Sequence, residues 1–320
     1  MPTRREFIAG LGAATLSPAS AFAAPNMPFH VSIITDEISQ DFDRACAVAS
    51  REFGLQSVEL RSMHDKNVIS WDSGDIAGVL KTLARYGLSV SQVASPVFKT
   101  DWPGAPQSPS SPKGAQFGAS FTYQQQPELL SHAIDLAKTF KSPYVRIFDF
   151  WRLEDQTPYR RAIDDRLREA AVIAGKKDVT LTIENELDCN TATGAEAARL
   201  LNAVTERSLM LNWDPGNAAA RGEKPFPAGY AKLPKNRIAY VHCKDLVELP
   251  GGKTEWAAMG NGIIDWAGQF RALAKDGYRG TVSLETHWRG GGTPEESTRQ
   301  SMAGMNRLLA NARRAVNGGA

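Results

Sequence analysis

The sequence predicts one α/β domain, a (β/α)8 TIM barrel, and three features of its 320 residues lead to this fold class. First, short apolar segments rich in β-branched residues alternate eight times with stretches of helix length. Second, no long linker divides them, and barrels of about 250 residues are routinely single units. Third, residues of metal-ligand type recur near the carboxyl ends of the last four apolar segments, where a parallel barrel gathers its chemistry.

The predicted strands share a β-branched, apolar composition. They are residues 30–38, 57–62, 89–95, 144–151, 180–186, 209–217, 238–245 and 280–288. The helical stretches between them are residues 41–53, 75–86, 127–140, 158–174, 194–205, 265–275 and 294–315. Gly54, Gly87 and Gly277 stand just before strands, as is typical of helix C-termini. Three prolines in residues 221–235 make the helix after the sixth strand the weakest of these predictions.

Residues 99–126 interrupt the alternation after the third strand. They are rich in Pro, Gly, Ser and Gln, and an irregular connection of this length is uncommon in a compact domain. Because the segment leaves from the carboxyl end of a strand, we expect it over the barrel mouth. It is interpreted either as a passive insertion or as a lid over a substrate, with four aromatic residues: Trp102, Phe117, Phe121 and Tyr123.

Residues 1–23 are predicted to be a twin-arginine signal peptide, and residues 24–320 to form the barrel. Arg4 and Arg5 precede a weakly apolar run of small residues, and residues 21–23 read Ala-Phe-Ala, an A-x-A cleavage site. The run is too short and too weakly apolar for a membrane span. The pattern therefore predicts a periplasmic protein that is exported by the twin-arginine pathway in its folded state.

Charge and cysteine content argue against a nucleic-acid-binding protein and against a protein built on disulfides or a CxxC motif. The 37 basic and 35 acidic residues are interspersed and leave a net charge of +2, so nucleic acid is not an expected partner. The three cysteines, Cys46, Cys189 and Cys243, form neither a CxxC motif nor a disulfide framework. With 42% hydrophobic residues, the chain has ample apolar side chains for one large core.

Four residues of metal-ligand type lie near the carboxyl ends of the last four predicted strands: Glu184, Asp214, His242 and Glu285. Side chains alternate between the two faces of a strand, and in each segment these residues take the face opposite to the main apolar positions. All four side chains are therefore expected to point into the barrel at one mouth. Carboxylates buried there need a cation, because an unpaired buried charge is very costly. The pattern predicts a divalent metal ion, with an ordinary network of salt bridges as the alternative.

Three carboxylates and one imidazole favour a hard ion, Mn²⁺ first and Mg²⁺ or Co²⁺ as alternatives, over a structural zinc. An octahedral ion would keep two positions for a hydroxyl and a neighbouring carbonyl of a substrate. Polarising that carbonyl stabilises the enediolate formed when a proton leaves the adjacent carbon. Glu184 and Glu285 stand on separate strands, so we expect one to remove the proton and the other to return it.

Five segments resemble the xylose isomerase-like TIM-barrel superfamily, often called the sugar phosphate isomerase/epimerase family: IENE (183–186), WDPGN (213–217), VHCKD (241–245), MGNGIIDW (259–266) and SLETHW (283–288). The resemblance covers most of the mature chain. It implies one divalent ion held by Glu184, Asp214, His242 and Glu285, and, from the ketose 3-epimerase branch, that the two glutamates act as acid and base. Family members often dimerise or tetramerise, so a homo-oligomer stays open.

One position departs from the pattern of many relatives, which place a histidine three residues after the strand-six aspartate. This chain has Asn217 there, and because an amide carries no charge we expect it to bind a substrate hydroxyl. By the alternation of side chains along their strands, Lys244 and His287 also point into the barrel, and they are expected to contact the substrate. For Lys244 the alternative is an ion pair with Asp214 or Glu285.

Three charged residues of earlier strands are also candidates for the mouth. Glu59 on the second strand is expected to contact the substrate, and Arg61 and Arg146 could reach the same place. For these three residues, ion pairs inside the barrel are the alternative interpretation.

Three hypotheses for function follow. The first is a metal-dependent isomerase or epimerase that acts on a small, non-phosphorylated carbohydrate, since export and the lack of a Gly-rich phosphate cradle argue against a sugar phosphate. The second is a lyase that eliminates the C1 substituent of a 3-keto-glycoside after the same proton abstraction. The third is a periplasmic carbohydrate-binding protein. Isomerase and lyase share their first step, so the sequence leaves both open.

Overall fold

The computed structural model of the protein describes residues 27–109, 111–112 and 120–317, with side chains described as far as residue 314. The predicted signal peptide and Phe117 lie outside these residues. Within them, no helix is both long and apolar enough to cross a membrane.

Eight parallel strands form the barrel, and the predicted fold class is confirmed. In chain order they are β1 His30–Ile33, β2 Ser57–Leu60, β3 Ser89–Val93, β4 Tyr144–Ile147, β5 Thr180–Glu184, β6 Leu209–Trp213, β7 Ile238–Cys243 and β8 Thr281–Leu284. Their order in the sheet is β1-β8-β7-β6-β5-β4-β3-β2. Between β1 and β2 the pairing is reduced to a single parallel bridge, from Ile34 to Glu59, which nearly closes the barrel.

Helices occupy the connections between the strands. The α-helices are Thr35–Ile38, Phe42–Ala47, Ser73–Tyr86, Gln126–Phe140, Arg160–Gly175, Gly194–Ala203, Pro215–Ala220, Tyr230–Lys232, Trp266–Lys275 and Pro294–Asn317. Shorter 3-10 or π-helical segments are Val48–Glu52, Val68–Ser70, Tyr123–Gln125, Pro225–Gly229 and Lys235–Arg237. The connection after β6 is thus broken into short pieces, where the sequence predicted its least distinct helix.

Local chemistry explains where a typical helix starts and stops. Ser73–Tyr86 begins with a capping box, in which the Asp72 and Asp75 side chains each accept a hydrogen bond from the other residue's backbone N–H. It ends at Gly87, whose φ of 63° is the left-handed conformation that glycine adopts without strain.

The apolar core lies between the sheet and the helices, whereas the barrel interior is polar. Outward-facing strand residues such as Val145, Leu181 and Ile183 are completely buried in that core. Inside, the Ser91 hydroxyl lies 2.8 Å from the Ser32 hydroxyl and 2.8 Å from the Tyr240 hydroxyl. These contacts satisfy buried polar groups that would otherwise destabilise the fold.

The strands are shorter than predicted, because polar residues at their carboxyl ends begin new structure. The predicted first strand, residues 30–38, ends at Ile33, and Thr35–Ile38 forms a helical turn. The predicted sixth strand, residues 209–217, ends at Trp213 because the Asp214 side chain accepts a hydrogen bond from the Asn217 backbone N–H and caps a helix.

A hairpin that the sequence analysis missed follows β7 directly. It pairs Asp245–Leu249 with Lys253–Ala257 in antiparallel register. The buried Asp245 carboxylate accepts hydrogen bonds from the backbone N–H groups of Gly260, Gly262 and Ile264. These hydrogen bonds hold the segment MGNGIIDW against the base of the hairpin, beside the end of β7.

The described parts of residues 99–126 pack against the barrel. The Trp102 ring lies 4.8 Å from the Phe150 ring and 5.5 Å from the Tyr123 ring, measured between centroids. The Thr100 hydroxyl donates a hydrogen bond to the Phe121 carbonyl. Trp102 and Tyr123 therefore pack together with Phe150, which follows β4, and hold this part of the segment on the barrel.

Candidate metal site and its surroundings

The four residues predicted as ligands converge at the carboxyl ends of β5 to β8. Glu184 is the last residue of β5, Asp214 and Glu285 directly follow β6 and β8, and His242 lies in β7. Their exposed fractions are 1%, 0%, 2% and 0%, respectively. One ligand atom from each lies within 4.8 Å of the others, so the cluster could hold a metal ion.

The His242 ring faces the three carboxylates with one nitrogen only. Its Nδ1 lies 3.1 Å from Glu184 Oε1, 3.3 Å from Glu285 Oε2 and 3.9 Å from Asp214 Oδ2. Its Nε2 lies 3.1 and 3.2 Å from the two Glu59 oxygens, on the other side of the ring. Nε2–H donation to Glu59 leaves the Nδ1 lone pair for an ion, an arrangement common at histidine ligands.

Glu59 lies beneath His242 inside the barrel. Its carboxylate also accepts hydrogen bonds from Gln92 Nε2 at 2.9 Å, from Ser283 Oγ at 2.8 Å and from the Tyr240 hydroxyl at 3.2 Å. The residue is completely buried. Of the two interpretations offered by the sequence, these surroundings favour the ion pair inside the barrel, where Glu59 holds the imidazole.

Lys244 pairs with two of the four cluster residues. Its Nζ lies 2.8 Å from Asp214 Oδ2 and 2.8 Å from Glu285 Oε2, and the side chain is buried. Of the two interpretations offered by the sequence, the structure places Lys244 in the ion pair.

Arg61 bridges β8 to the segment after β1. It donates to Glu285 Oε1 at 2.8 Å, to Glu37 Oε1 at 2.7 Å and to Asp36 Oδ2 at 2.8 and 2.9 Å. Asp36 and Glu37 were not among the predicted site residues, because the sequence placed both in a strand. The acidic pair directly after the first apolar segment was the only signal for them.

Arg146 lies beside the other glutamate of the cluster. Its guanidinium is 3.2 Å from Glu184 Oε2, donates to the Ala94 carbonyl at 3.3 Å and stands over the Phe148 ring. Arg61 and Arg146 therefore both form ion pairs inside the barrel.

Burial and the neighbouring charges act in opposite directions on the pKa values of the three carboxylic acids in the cluster. Burial alone would raise the pKa of Glu184, but His242 and Arg146 outweigh it and bring the pKa down to about 2. Burial is likewise outweighed at Glu285, where Lys244, with the two histidines, holds the pKa well below its usual range. Burial raises the pKa of Asp214 to about 7, against the lowering effect of Lys244. Both glutamates are thus ionised at neutral pH.

The pKa of the His242 imidazole is raised. Burial would lower the pKa of His242, but Glu59, Glu184 and Glu285 raise it well above its usual value. Without a metal ion, the ring is therefore held as an imidazolium among carboxylates.

Two asparagines fix the positions of Glu184 and Asp214. The Asn217 side chain donates to Glu184 Oε1 at 3.3 Å, and its backbone N–H donates to Asp214 Oδ1 at 2.9 Å. Asn185 exchanges hydrogen bonds with the Asp214 backbone. Asn217 Oδ1 is buried and receives no hydrogen bond from the described residues, so it remains a candidate acceptor for a substrate hydroxyl. Asn185 was missed because the strand phase assigned it to the outer face.

His287 and Trp256 lie on the β8 side of the mouth. His287 Nε2 is 3.5 Å from Glu285 Oε1, and His287 Nδ1 is 3.0 Å from Glu37 Oε1. The Trp256 ring, on the hairpin, lies 5.6 Å from the His287 ring and 5.2 Å from Lys244 Nζ. His287 is partly exposed, so it is accessible from the barrel mouth.

The donor set fits a divalent ion. Asp214 Oδ2 and Glu184 Oε2 are buried, and although they form ion pairs with Lys244 at 2.8 Å and Arg146 at 3.2 Å, neither receives a hydrogen bond of regular geometry from the described residues. Three carboxylates and an imidazole suit a hard ion that accepts oxygen and nitrogen ligands.

Comparisons with known proteins agree with this architecture. The family model described as xylose isomerase-like TIM barrel matches residues 47–308 of the chain. Among curated proteins, none matches it.

Three solved structures illustrate the likeness. A xylose isomerase-like TIM barrel protein from Mycobacterium smegmatis, in complex with magnesium, is 16% identical with a TM-score of 0.63, over 90% of this chain and 98% of that one. A D-tagatose 3-epimerase-like protein is 18% identical with a TM-score of 0.65, over 91% and 99%. A probable 3-DHS dehydratase from Bacillus anthracis is 17% identical with a TM-score of 0.63, over 90% and 99%. At these identities the likeness is one of fold.

Proposed function

The chain belongs to the xylose isomerase-like TIM barrel family, and we propose that it is a sugar isomerase or epimerase that requires a divalent metal ion. The observation that supports this proposal best is the pair Glu184 and Glu285. Both are buried and ionised, and both lie within 3.3 Å of the same His242 nitrogen, although they come from strands separated by β6 and β7.

The ion would be held by Glu184, Asp214, His242 through Nδ1, and Glu285, and we propose Mn²⁺, with Mg²⁺ or Co²⁺ as alternatives. When bound, such an ion supplies a Lewis acid that polarises a substrate carbonyl and makes the neighbouring C–H more acidic.

The protein's own residues supply the proton transfer. One of the two glutamates removes the proton from the carbon next to the carbonyl. The other must first take up a proton from solvent, which it then gives to that carbon or to its neighbour. Arg146 beside Glu184, and Lys244 beside Glu285, keep both carboxylates ionised, so neither has to lose a proton before it can act as the base. Burial of the pair excludes water that would otherwise compete for it.

The charges around the mouth favour a substrate without phosphate. The basic side chains that the structure describes there each lie at an acidic partner. These partners are Glu285 for Arg61, Glu184 for Arg146, Asp214 for Lys244, Glu37 for Arg289 and Glu186 for Lys99. A phosphate dianion would have to break such pairs, whereas sugar hydroxyls can bind Asn217 and His287.

Solvent deuterium exchange tests this function. Mn²⁺-loaded protein in D₂O, incubated with free ketoses, aldoses and 3-keto-glucosides, should place deuterium at one substrate carbon, as detected by mass spectrometry. Loss of the uptake on chelation, and its return with Mn²⁺, would establish the metal requirement. No uptake across this panel by protein that has bound its ion would contradict the proposal.

A second candidate function is elimination from a 3-keto-glycoside. The likeness to a probable 3-DHS dehydratase favours it, since a dehydratase also eliminates a group next to an acidified C–H. The enolate would expel the C1 substituent instead of receiving a proton. Release of the aglycone in the same incubations identifies a lyase, and inversion or carbonyl migration identifies an epimerase or isomerase.

We also propose that the protein acts in the periplasm after twin-arginine export. Arg4 and Arg5 with the Ala-Phe-Ala site support this location. Cell fractionation should find processed protein in the periplasm, and replacing both arginines by lysine should keep it in the cytoplasm. Unprocessed wild-type chain in the cytosolic fraction would contradict the proposal.

A further inference from the structure

Lys244 holds the same carboxylate oxygens that face the predicted ion position. Asp214 Oδ2 and Glu285 Oε2 lie 3.9 and 3.3 Å from His242 Nδ1, and Lys244 Nζ lies 2.8 Å from each of them. We propose that the Lys244 ammonium competes with the divalent ion for these two carboxylates and so sets the ion affinity of the site. This inference rests on the proposed metal-dependent function.

The two neighbouring guanidinium groups do not compete in this way. Arg61 contacts Glu285 through Oε1, the oxygen that faces away from the imidazole, and Asp36 and Glu37 hold its guanidinium in place. Arg146 contacts Glu184 through Oε2, whereas Oε1 faces His242 Nδ1. Both arginines can therefore remain where they are when an ion is bound.

Lys244, in contrast, has a compact charge on a flexible stem and contacts only ion-facing oxygens among the pairs described. A Cβ atom at position 216 would lie 2.5 Å from Lys244 Cγ, so Gly216 of the WDPGN segment leaves the space that the stem occupies. The Trp256 ring, 5.2 Å from Nζ, offers the displaced ammonium a cation–π contact near its present position. The site thus contains its own cation, the Lys244 ammonium, which can move aside when a divalent ion binds.

Two consequences follow. Without an ion, Lys244 keeps Asp214 and Glu285 close together against their mutual repulsion. When a divalent ion binds, it must displace the Lys244 ammonium from these carboxylates. The affinity of the site for the ion is therefore lower than the four ligands alone would give. Coulomb interactions over a few ångströms in a protein interior are large enough to change an affinity by a factor of ten or more.

Isothermal titration calorimetry with Mn²⁺ tests the inference on the full mature chain. Lys244→Met should bind Mn²⁺ about tenfold or more tightly than wild type. Lys232→Met, which removes a half-exposed lysine paired with Glu223, is the matched control and should bind like wild type. Equal or weaker binding by folded Lys244→Met would overturn the inference while leaving the proposed function intact. If neither wild type nor variant binds Mn²⁺, the proposed function fails with it.

A second measurement needs no variant at this position and covers the case in which Lys244→Met does not fold. In protein labelled with ¹⁵N-lysine, the buried ammonium should give a slowly exchanging NMR signal in the ion-free state. Saturation with diamagnetic Mg²⁺ should shift that signal or abolish it, as the ammonium leaves the carboxylates. A signal that stays unchanged in protein that has bound Mg²⁺ would contradict competition.

Discussion

The two halves of the barrel mouth use the same kind of buried polar position for different purposes. β5 to β8 present Glu184, Asp214, His242 and Glu285, whose lone pairs converge within 4.8 Å. β1 to β4 and the residues directly after them present no part of that set. Glu59, Arg61 and Arg146 pair with members of that set, and Glu37 in turn pairs with Arg61.

The difference teaches that ligands and supports are distinguished by their partners more than by residue type. Glu59 and Glu184 both contact the same imidazole, yet Glu59 lies at Nε2 and Glu184 at Nδ1. Only the second position faces the other carboxylates. A glutamate is therefore a candidate ligand or a support according to which side of His242 it occupies.

The largest effect should come from the ligand half. Glu184→Gln and Glu285→Gln should each lower the rate of solvent deuterium exchange by roughly 10²- to 10⁴-fold, because each removes a group that transfers a proton. Glu186→Gln, which alters a carboxylate near the mouth that pairs with Lys99, is the control and should stay within a few-fold of wild type. Exchange that persists in both variants would show that proton transfer depends on other residues.

In the supporting half, the largest effect should be on stability. Arg61→Met leaves Asp36, Glu37 and Glu285 buried without their shared cation and should lower the free energy of unfolding by about 3–5 kcal/mol. Arg44→Met, which breaks an exposed pair with Glu295, should cost about 0–1 kcal/mol. Urea denaturation of ion-free protein measures both, and equal losses would refute the distinction between buried and exposed pairs.

Glu59→Gln sharpens the comparison between the two glutamates at His242. The amide keeps the shape of the side chain but loses the charge that orients and polarises the imidazole, so Mn²⁺ affinity should fall about 10- to 100-fold. Glu52→Gln, on the protein surface, should leave the affinity unchanged. Wild-type affinity in Glu59→Gln would mean that His242 needs no carboxylate behind it.

The affinity of the site for the ion should also depend on pH. In the ion-free site, the pKa of His242 is well above its usual value and that of Asp214 is raised to about 7. Raised folded-state pKa values mean that the bound protons stabilise the ion-free fold at low pH, and that this stabilisation is lost as pH rises through each value. An ion must displace both protons below about pH 7 and the His242 proton above it. Its affinity should therefore rise with pH, most steeply below about pH 7.

Calorimetry in buffers with different ionisation enthalpies checks this prediction, because it counts the released protons. About two protons per ion near pH 6 and fewer near pH 8 are expected. If the same number of protons is released at pH 6 and pH 8, Asp214 does not titrate between these two pH values.

The barrel and the convergence of the four candidate ligands could be predicted from sequence because both depend on repeating local patterns. Alternation of apolar segments with helical stretches predicts the (β/α)8 order, and the period of two along a strand predicts which side chains face inward. Parallel strands then bring Glu184, Asp214, His242 and Glu285 to one end. That these residues hold an ion stays a prediction.

The sequence named Glu59, Arg61 and Arg146 as possible ion pairs inside the barrel but not their partners, because strand periodicity gives the face of a residue and not its height in the barrel. Glu59 faces inward as predicted, but a register shift between Val58 and Glu59 accompanies its position below the imidazole. Glu37 reaches the site only because residues after β1 turn into a helix, where the sequence predicted a longer strand. Contacts such as Arg61 to Glu285 join residues far apart in sequence, and their geometry depends on side-chain packing.

The hairpin after β7 had a local signal that strand patterns alone did not use. Pro250, Gly251 and Gly252 form a turn between its two five-residue strands, and both glycines have positive φ. A turn signal of this kind directly after VHCKD would have indicated a structure beside the mouth, and with it Trp256.

The most direct test of the account is an anomalous difference map from crystals of the mature protein grown with Mn²⁺. The account predicts a single peak bonded to Glu184, Asp214, Glu285 and the Nδ1 atom of His242, with Glu59 still at Nε2. A peak at Glu37 and His287, a bond through Nε2, or no peak at saturating Mn²⁺ would contradict the division of the mouth into a ligand half and a supporting half.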